Sequence, residues 1–295
     1  DKALGNFTKM ESSQVNEILK PLLLGWSYLG KKDLPKAREN LLSLKKKRGF
    51  ELLSLLHTAL ALQDQEKIPV VDKLLDEAIG SVEETPSRLA LSAANYYQKT
   101  GRTDTAINLI DKIKSKDFNL EILKGRRRTT KGSSLSEVTV RSPQDGISEA
   151  LFDIASALRD EYDNNASLIF VRLASYMRPK FHSAQILLGE ILEERGKYPE
   201  AIKEFEQIPE DSIFFRMAQL RLSQTLRQDD KPRAAIQVLE RLKQRQPKNA
   251  ENFIRLGDIY RSQKDWDEAI FAYNKAINLT NRDSKSDWIL YYSRG

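Results

Sequence analysis

The chain has 295 residues, 40% of them hydrophobic and 31% charged, and no cysteine, which excludes disulfides and thiolate metal sites and leaves the redox compartment open. A net charge of +6 is a small imbalance between 48 basic and 42 acidic residues, a weak pointer to nucleic acid or an anionic surface. No run of about 18 apolar residues occurs, so no transmembrane segment is expected.

Residues 1–17 are polar and weakly periodic and read as a tail or frayed helical lead-in. No signal peptide or initiator methionine stands there, which suggests that Asp1 is a processing or excision boundary. From residue 18 onward, apolar side chains recur at helical spacing, in pairs of helices with a period of 34 residues. In 18–51 the first helix carries Leu24, Gly25 and Tyr28, and the second Ala37, Leu41 and Leu44. Residues 52–85 repeat this with Leu55, Ala59 and Leu62, and with Val71 where alanine stands elsewhere. Residues 87–120 follow with Ala93, Ala94 and Tyr97, Gly101 in the turn, then Ala106, Ile110 and Ile113.

The period breaks at 121–147, a basic insertion. Gly125, Gly132, serines and Pro143 mark it as loop. Lys124, Arg126, Arg127, Arg128, Lys131 and Arg141 outnumber Glu121, Glu137 and Asp145. Four contiguous repeats follow: 148–181, 182–215, 216–249 and 250–283. The small residue of the first helix is Ala155, Gly189, Ser223 and Gly257 in turn, and that of the second is Ser167, Ala201, Ala235 and Ala269. Pro179 and Pro247 stand where a second helix must stop, because proline cannot continue the helical ladder. Residues 284–295 read as the start of a further repeat, so the full protein is expected to continue.

The last repeat shows the logic. Phe253, Leu256, Gly257 and Tyr260 make one helix face, and Ala269, Tyr273 and Ala276 another. One such pair cannot bury its own apolar surface, so the units must stack.

This pattern resembles the tetratricopeptide repeat over residues 18–283 outside the insertion. The resemblance implies an all-α fold, a right-handed α-solenoid of helix-turn-helix repeats whose first helices line a concave ligand surface. It also implies a non-enzymatic scaffold for a protein or peptide partner. The segments EALFDIASALRD and LASYMRPKFHSAQILLGEILEERGKYPEAIKEFEQIP look like a group of alphaproteobacterial cell-envelope repeat proteins. That likeness implies a periplasmic location, with the cytoplasm as the alternative, and a role in envelope maintenance. A second functional reading is a regulatory module of a larger enzyme or complex whose catalytic part lies outside this chain.

On the expected groove, Leu22, Trp26 and Leu56 supply an apolar anchor and Asn95 and Gln98 supply amides. Farther along come acidic Glu190, beside Glu193 and Glu194, and then Arg221, Gln224, Arg227, Arg255, Asp258 and Arg261. A peptide with a charge pattern and an apolar anchor fits such a surface. Some relatives clamp a chaperone's terminal carboxylate with lysine and asparagine four apart; here Leu91 precedes Asn95, which argues against that clamp. The basic loop Arg126, Arg127, Arg128 and Lys131 could reach a phosphate or an acidic partner. No aromatic interleaves it, which argues against stacking on single-stranded nucleic acid. Lys45–Arg48 sits where cations meet the negative end of a helix.

Catalysis finds little footing. Two histidines, His57 and His182, stand without a GxSxG, HExxH or phosphate-loop motif, and no cofactor or metal is expected. His57 is expected as a surface residue on the groove side.

Overall fold

A computed structural model describes residues 2–11, 13–112, 140–160, 164–280 and 288–295. All regular structure among them is helical. In order the helices are α1 (Lys2–Thr8), α2 (Asn16–Gly30), α3 (Leu34–Ser43), α4 (Glu51–Leu62), α5 (Ile68–Gly80), α6 (Ser87–Lys99), α7 (Thr103–Lys112) and α8 (Pro143–Asp160). There follow α9 (Asn164–Met177), α10 (His182–Glu194), α11 (Tyr198–Glu206), α12 (Phe215–Gln228), α13 (Pro232–Arg245), α14 (Ala250–Ser262), α15 (Trp266–Leu279) and α16 (Trp288–Arg294). The fold is all-α, of the α-solenoid class. The chain forms two compact units, Asp1–Leu187 and Leu188–Gly295, each taken below by itself.

The helices come in pairs for reasons visible in the sequence. A Cβ on Gly25 would stand 2.5 Å from Leu41 Cγ; on Gly189, 2.5 Å from Phe205 Cε1; on Gly257, 2.8 Å from Tyr273 Cε1. The partner is sixteen residues on each time, so the glycine of one helix is the notch for a large side chain of its mate. In the pair α8/α9 the second-helix Ser167 is buried and donates its hydroxyl to Ala155 O at 2.7 Å.

The turns within pairs are equally regular. Lys32, Gly101, Gly196, Asp230 and Lys264 all have left-handed φ, between 53° and 79°. The next residue's N–H bonds back five residues in every case, as in Asp33→Tyr28, Lys197→Leu192 and Asp265→Tyr260. This is the Schellman closure, which satisfies carbonyls left over at a helix end. Pro35, Pro69, Pro199 and Pro232 open the following helices, where a missing N–H costs nothing. Pro143, expected in a loop, is likewise the first residue of α8.

Candidate partner-binding surfaces

In the first unit the face made by the first helices is already covered. Helix α8 packs against α2 and α4, and polar groups of the leading first helices reach it directly or in relay. Trp26 Nε1–H of α2 donates to His57 Nδ1 of α4 at 2.9 Å. His57 Nε2 lies 3.0 Å from Asp153 Oδ2 of α8. Arg88 of α6 pairs with Glu149 of α8. Because an indole N–H can only donate, His57 Nδ1 must accept, so the ring hydrogen sits on Nε2 and goes to Asp153. Between these groups Gly146 lets the helix touch the Trp26 ring, with Trp26 Cδ2 only 2.1 Å from where a Cβ would stand.

This corrects part of the expected groove. Leu22 (0% exposed), Trp26 (1%) and Leu56 (5%) are interior to the unit, and His57, expected at the surface, is 0% exposed. The physical reason is that the helix following the insertion lies over these residues, so their apolar area is spent within the chain. Asn95 is buried and Gln98 half-buried on α6, which places neither on an open face. The basic residues Arg126, Arg127, Arg128 and Lys131 lie outside the described residues.

Glu149 is 1% exposed and accepts from Arg178 Nη1 at 2.9 Å as well as pairing with Arg88. Both guanidiniums lie over the Phe181 ring, 5.2 and 4.8 Å from its centroid. Burial pushes the Glu149 carboxyl above its ordinary value, against the pull of Arg88 and Arg178. A carboxyl raised in the folded chain contributes stability that is fully present below its unfolded value and lost as pH rises through the folded one. Relative to Glu149→Gln, which does not titrate, the wild type is therefore expected to lose stability as the pH rises through that range. Urea denaturation of both proteins at pH values on either side checks this; an unchanged difference would contradict it.

In the second unit the corresponding face is open. Helices α12 and α14 surround a pocket of about 420 Å³ lined by Ser223, Gln224, Arg227, Arg255, Asp258, Ile259, Arg261 and Ser262. Of the residues named from the sequence, Gln224, Arg227, Arg255, Asp258 and Arg261 line this pocket, and Glu190 and Arg221 pair beside it. Arg221 Nη2 is 2.6 Å from Glu190 Oε1, so this guanidinium is largely answered within the unit. Arg255 donates to Glu251 Oε1 at 3.0 and 2.8 Å. Arg261 stands 3.8 Å from Asp258, whose carboxylate also accepts from the Tyr273 hydroxyl at 2.7 Å. Burial, and after it the bond to Asp258, pushes the Tyr273 phenol up, which keeps it a donor. Arg227 is exposed and makes no ion pair among the described residues. The pocket wall therefore carries three guanidiniums to one carboxylate. Nearby Glu193 is buried, and desolvation raises its carboxyl.

The repeat geometry and the pattern of small residues define a helical-repeat protein of the tetratricopeptide type. A family model for the tetratricopeptide repeat-like domain matches residues 126–290, more than half of the chain, and the chain belongs to that family. No curated protein matches the sequence. Among similar solved structures is a tetratricopeptide repeat protein from Parabacteroides merdae, 14% identical with a TM-score of 0.38, matched over 96% of this chain and 98% of that one. Yeast Tom70 is 16% identical with a TM-score of 0.41, over 96% of this chain and 64% of that one. The P58(IPK) TPR domain is 15% identical with a TM-score of 0.29, over 94% and 97%. No helix among the described residues is long and apolar enough to cross a membrane.

Proposed function

We propose that this protein is a protein-interaction scaffold that holds a carboxylate-bearing segment of a partner protein on the first-helix face of its second unit. The observation that carries this reading is the pocket between α12 and α14, whose lining carries Arg227, Arg255 and Arg261; Arg255 is held by Glu251 and Arg261 stands near Asp258, while Arg227 makes no ion pair among the described residues. Guanidinium groups bind carboxylates in two-pronged geometry and stay charged at any physiological pH. Ser223, Ser262 and Gln224 add short-range donors and acceptors suited to a peptide backbone. In the first unit α8 packs against α2 and α4 on this face.

The experiment is retention of partner proteins from a native lysate by the wild-type chain and by an Arg227→Glu, Arg261→Glu double variant. These two side chains are solvent-exposed, so helicity should be unchanged. At least a tenfold loss of a retained protein is expected in the variant. Equal retention by both proteins would refute the assignment of the site. The periplasmic location and envelope role implied by the resemblance to alphaproteobacterial repeat proteins belong to the same proposal. They rest on that resemblance alone and are tested by fractionating the source cells.

A further inference from the structure

The first unit carries an exposed apolar stripe on the outer face of α9. Ile169, Leu173 and Tyr176 stand at i, i+4 and i+7 and are 60%, 45% and 85% exposed. That spacing aligns them in one stripe along the helix. Isolated exposed apolar residues need no explanation, but the repeats of this chain supply their own control. Stepping from Ile169 by the 34-residue period, with the insertion allowed for, gives Glu39, Lys73, Asn108, Lys203 and Gln237, with Phe271 in the last repeat. Stepping from Leu173 gives Ser43, Glu77, Lys112, Gln207, Arg241 and Lys275, and from Tyr176 gives Lys46, Gly80, Ser115, Glu210, Gln244 and Asn278. Apart from Phe271 and Gly80, the sister repeats place polar residues at this face, whereas α9 is apolar at all three positions at once.

The kind of occupant follows from area and charge. Three such side chains expose on the order of 300 Å² of apolar surface, the lower end of the size of the largest patch on a typical monomer, which is often functional. That is well short of the roughly 800 Å² per partner buried between two folded proteins. It matches one face of a single amphipathic helix, read through i, i+4 and i+7 anchors. Helix α9 contains no aspartate or glutamate, and exposed Lys180 follows it. A second copy of α9 would bring no carboxylate of its own to this face, which disfavours self-pairing against a partner that carries acidic residues. We infer that the outer face of α9 docks an amphipathic helix of another protein, apolar along one stripe and edged with carboxylates.

The test uses the full chain and two fluorescent synthetic helical peptides. Both carry leucines at i, i+4 and i+7; one is flanked by glutamates and the other by lysines. Anisotropy titration is expected to show the glutamate peptide binding at least tenfold more tightly than the lysine peptide. A Leu173→Asp, Tyr176→Ser variant, altered only at exposed positions, is expected to lose at least tenfold in affinity for it while its circular dichroism is unchanged. Equal binding of the two peptides, or binding insensitive to the variant, overturns the inference. So does concentration-dependent dimerisation that the variant abolishes, since the occupant is then a second copy. Because these residues lie in the first unit, the Arg227→Glu, Arg261→Glu variant should bind the peptide normally, which separates this surface from the pocket of the second unit.

Discussion

Trp26→Ala is expected to lower the stability of the first unit by about 3–5 kcal/mol, the usual cost of removing a large buried aromatic side chain. Two effects add here. The indole is 1% exposed, so truncation leaves a void between His57 and Gly146 of α8 that the surrounding helices can only partly fill. It also removes the donor to His57 Nδ1, a buried acceptor, and an unsatisfied buried polar atom costs about 1–3 kcal/mol by itself. Trp26→Phe separates the two, because it keeps most of the volume and loses only the N–H. Peptide-resolved hydrogen exchange is the suitable readout in a chain of two units, where a single unfolding midpoint is poorly defined. Faster exchange is expected in α2, α4 and α8, with α12–α15 unchanged. Were Trp26 the exposed ligand anchor that its sequence position suggests, Ala would leave every helix protected and affect only partner binding.

That contrast shows how much the sequence reveals. The helix pairs, their turns and the notches at Gly25, Gly189 and Gly257 were legible because each depends on residues within one period of each other. The residues that line the pocket of the second unit share a helix or a period in the same way: Arg227 and Arg261 stand one repeat apart on consecutive first helices, and Arg255 and Asp258 lie on the same helix as Arg261. What the sequence hid was a long-range contact. Asp153 is 96 positions from His57, and nothing local says that a helix after the insertion will lie over the first helices of the opening pairs. The signal that was there is a polar stripe, Gly146, Glu149 and Asp153 at i, i+3 and i+7 on α8. Such a stripe reads as a solvated helix face unless its partners are known. Trp26 and His57 carried the complementary ambiguity, since an aromatic and a histidine on a presumed groove look like ligand contacts until something in the same chain covers them.

The most direct test of that contact is Gly146→Ala, because its sign is informative. Inside an exposed helix, exchanging glycine for alanine gains roughly 1 kcal/mol from backbone entropy. Here the new Cβ would stand 2.1, 2.2 and 2.3 Å from three atoms of the Trp26 ring, and that ring cannot swing aside without breaking its bond to His57. Overpacking of this kind costs typically about 1–3 kcal/mol, so a net loss of stability is expected where propensity alone predicts a gain. The strain should fall on both sides of the contact, as faster exchange in α2 and α8. Adding Trp26→Ala supplies the control. With the ring gone the Cβ has room, so in the Trp26→Ala background Gly146→Ala should be neutral or stabilising, and the double variant should be more stable than the sum of the single losses predicts. Strict additivity would mean that α8 does not rest on Trp26, and with it the account of how α8 covers the opening first helices would fail.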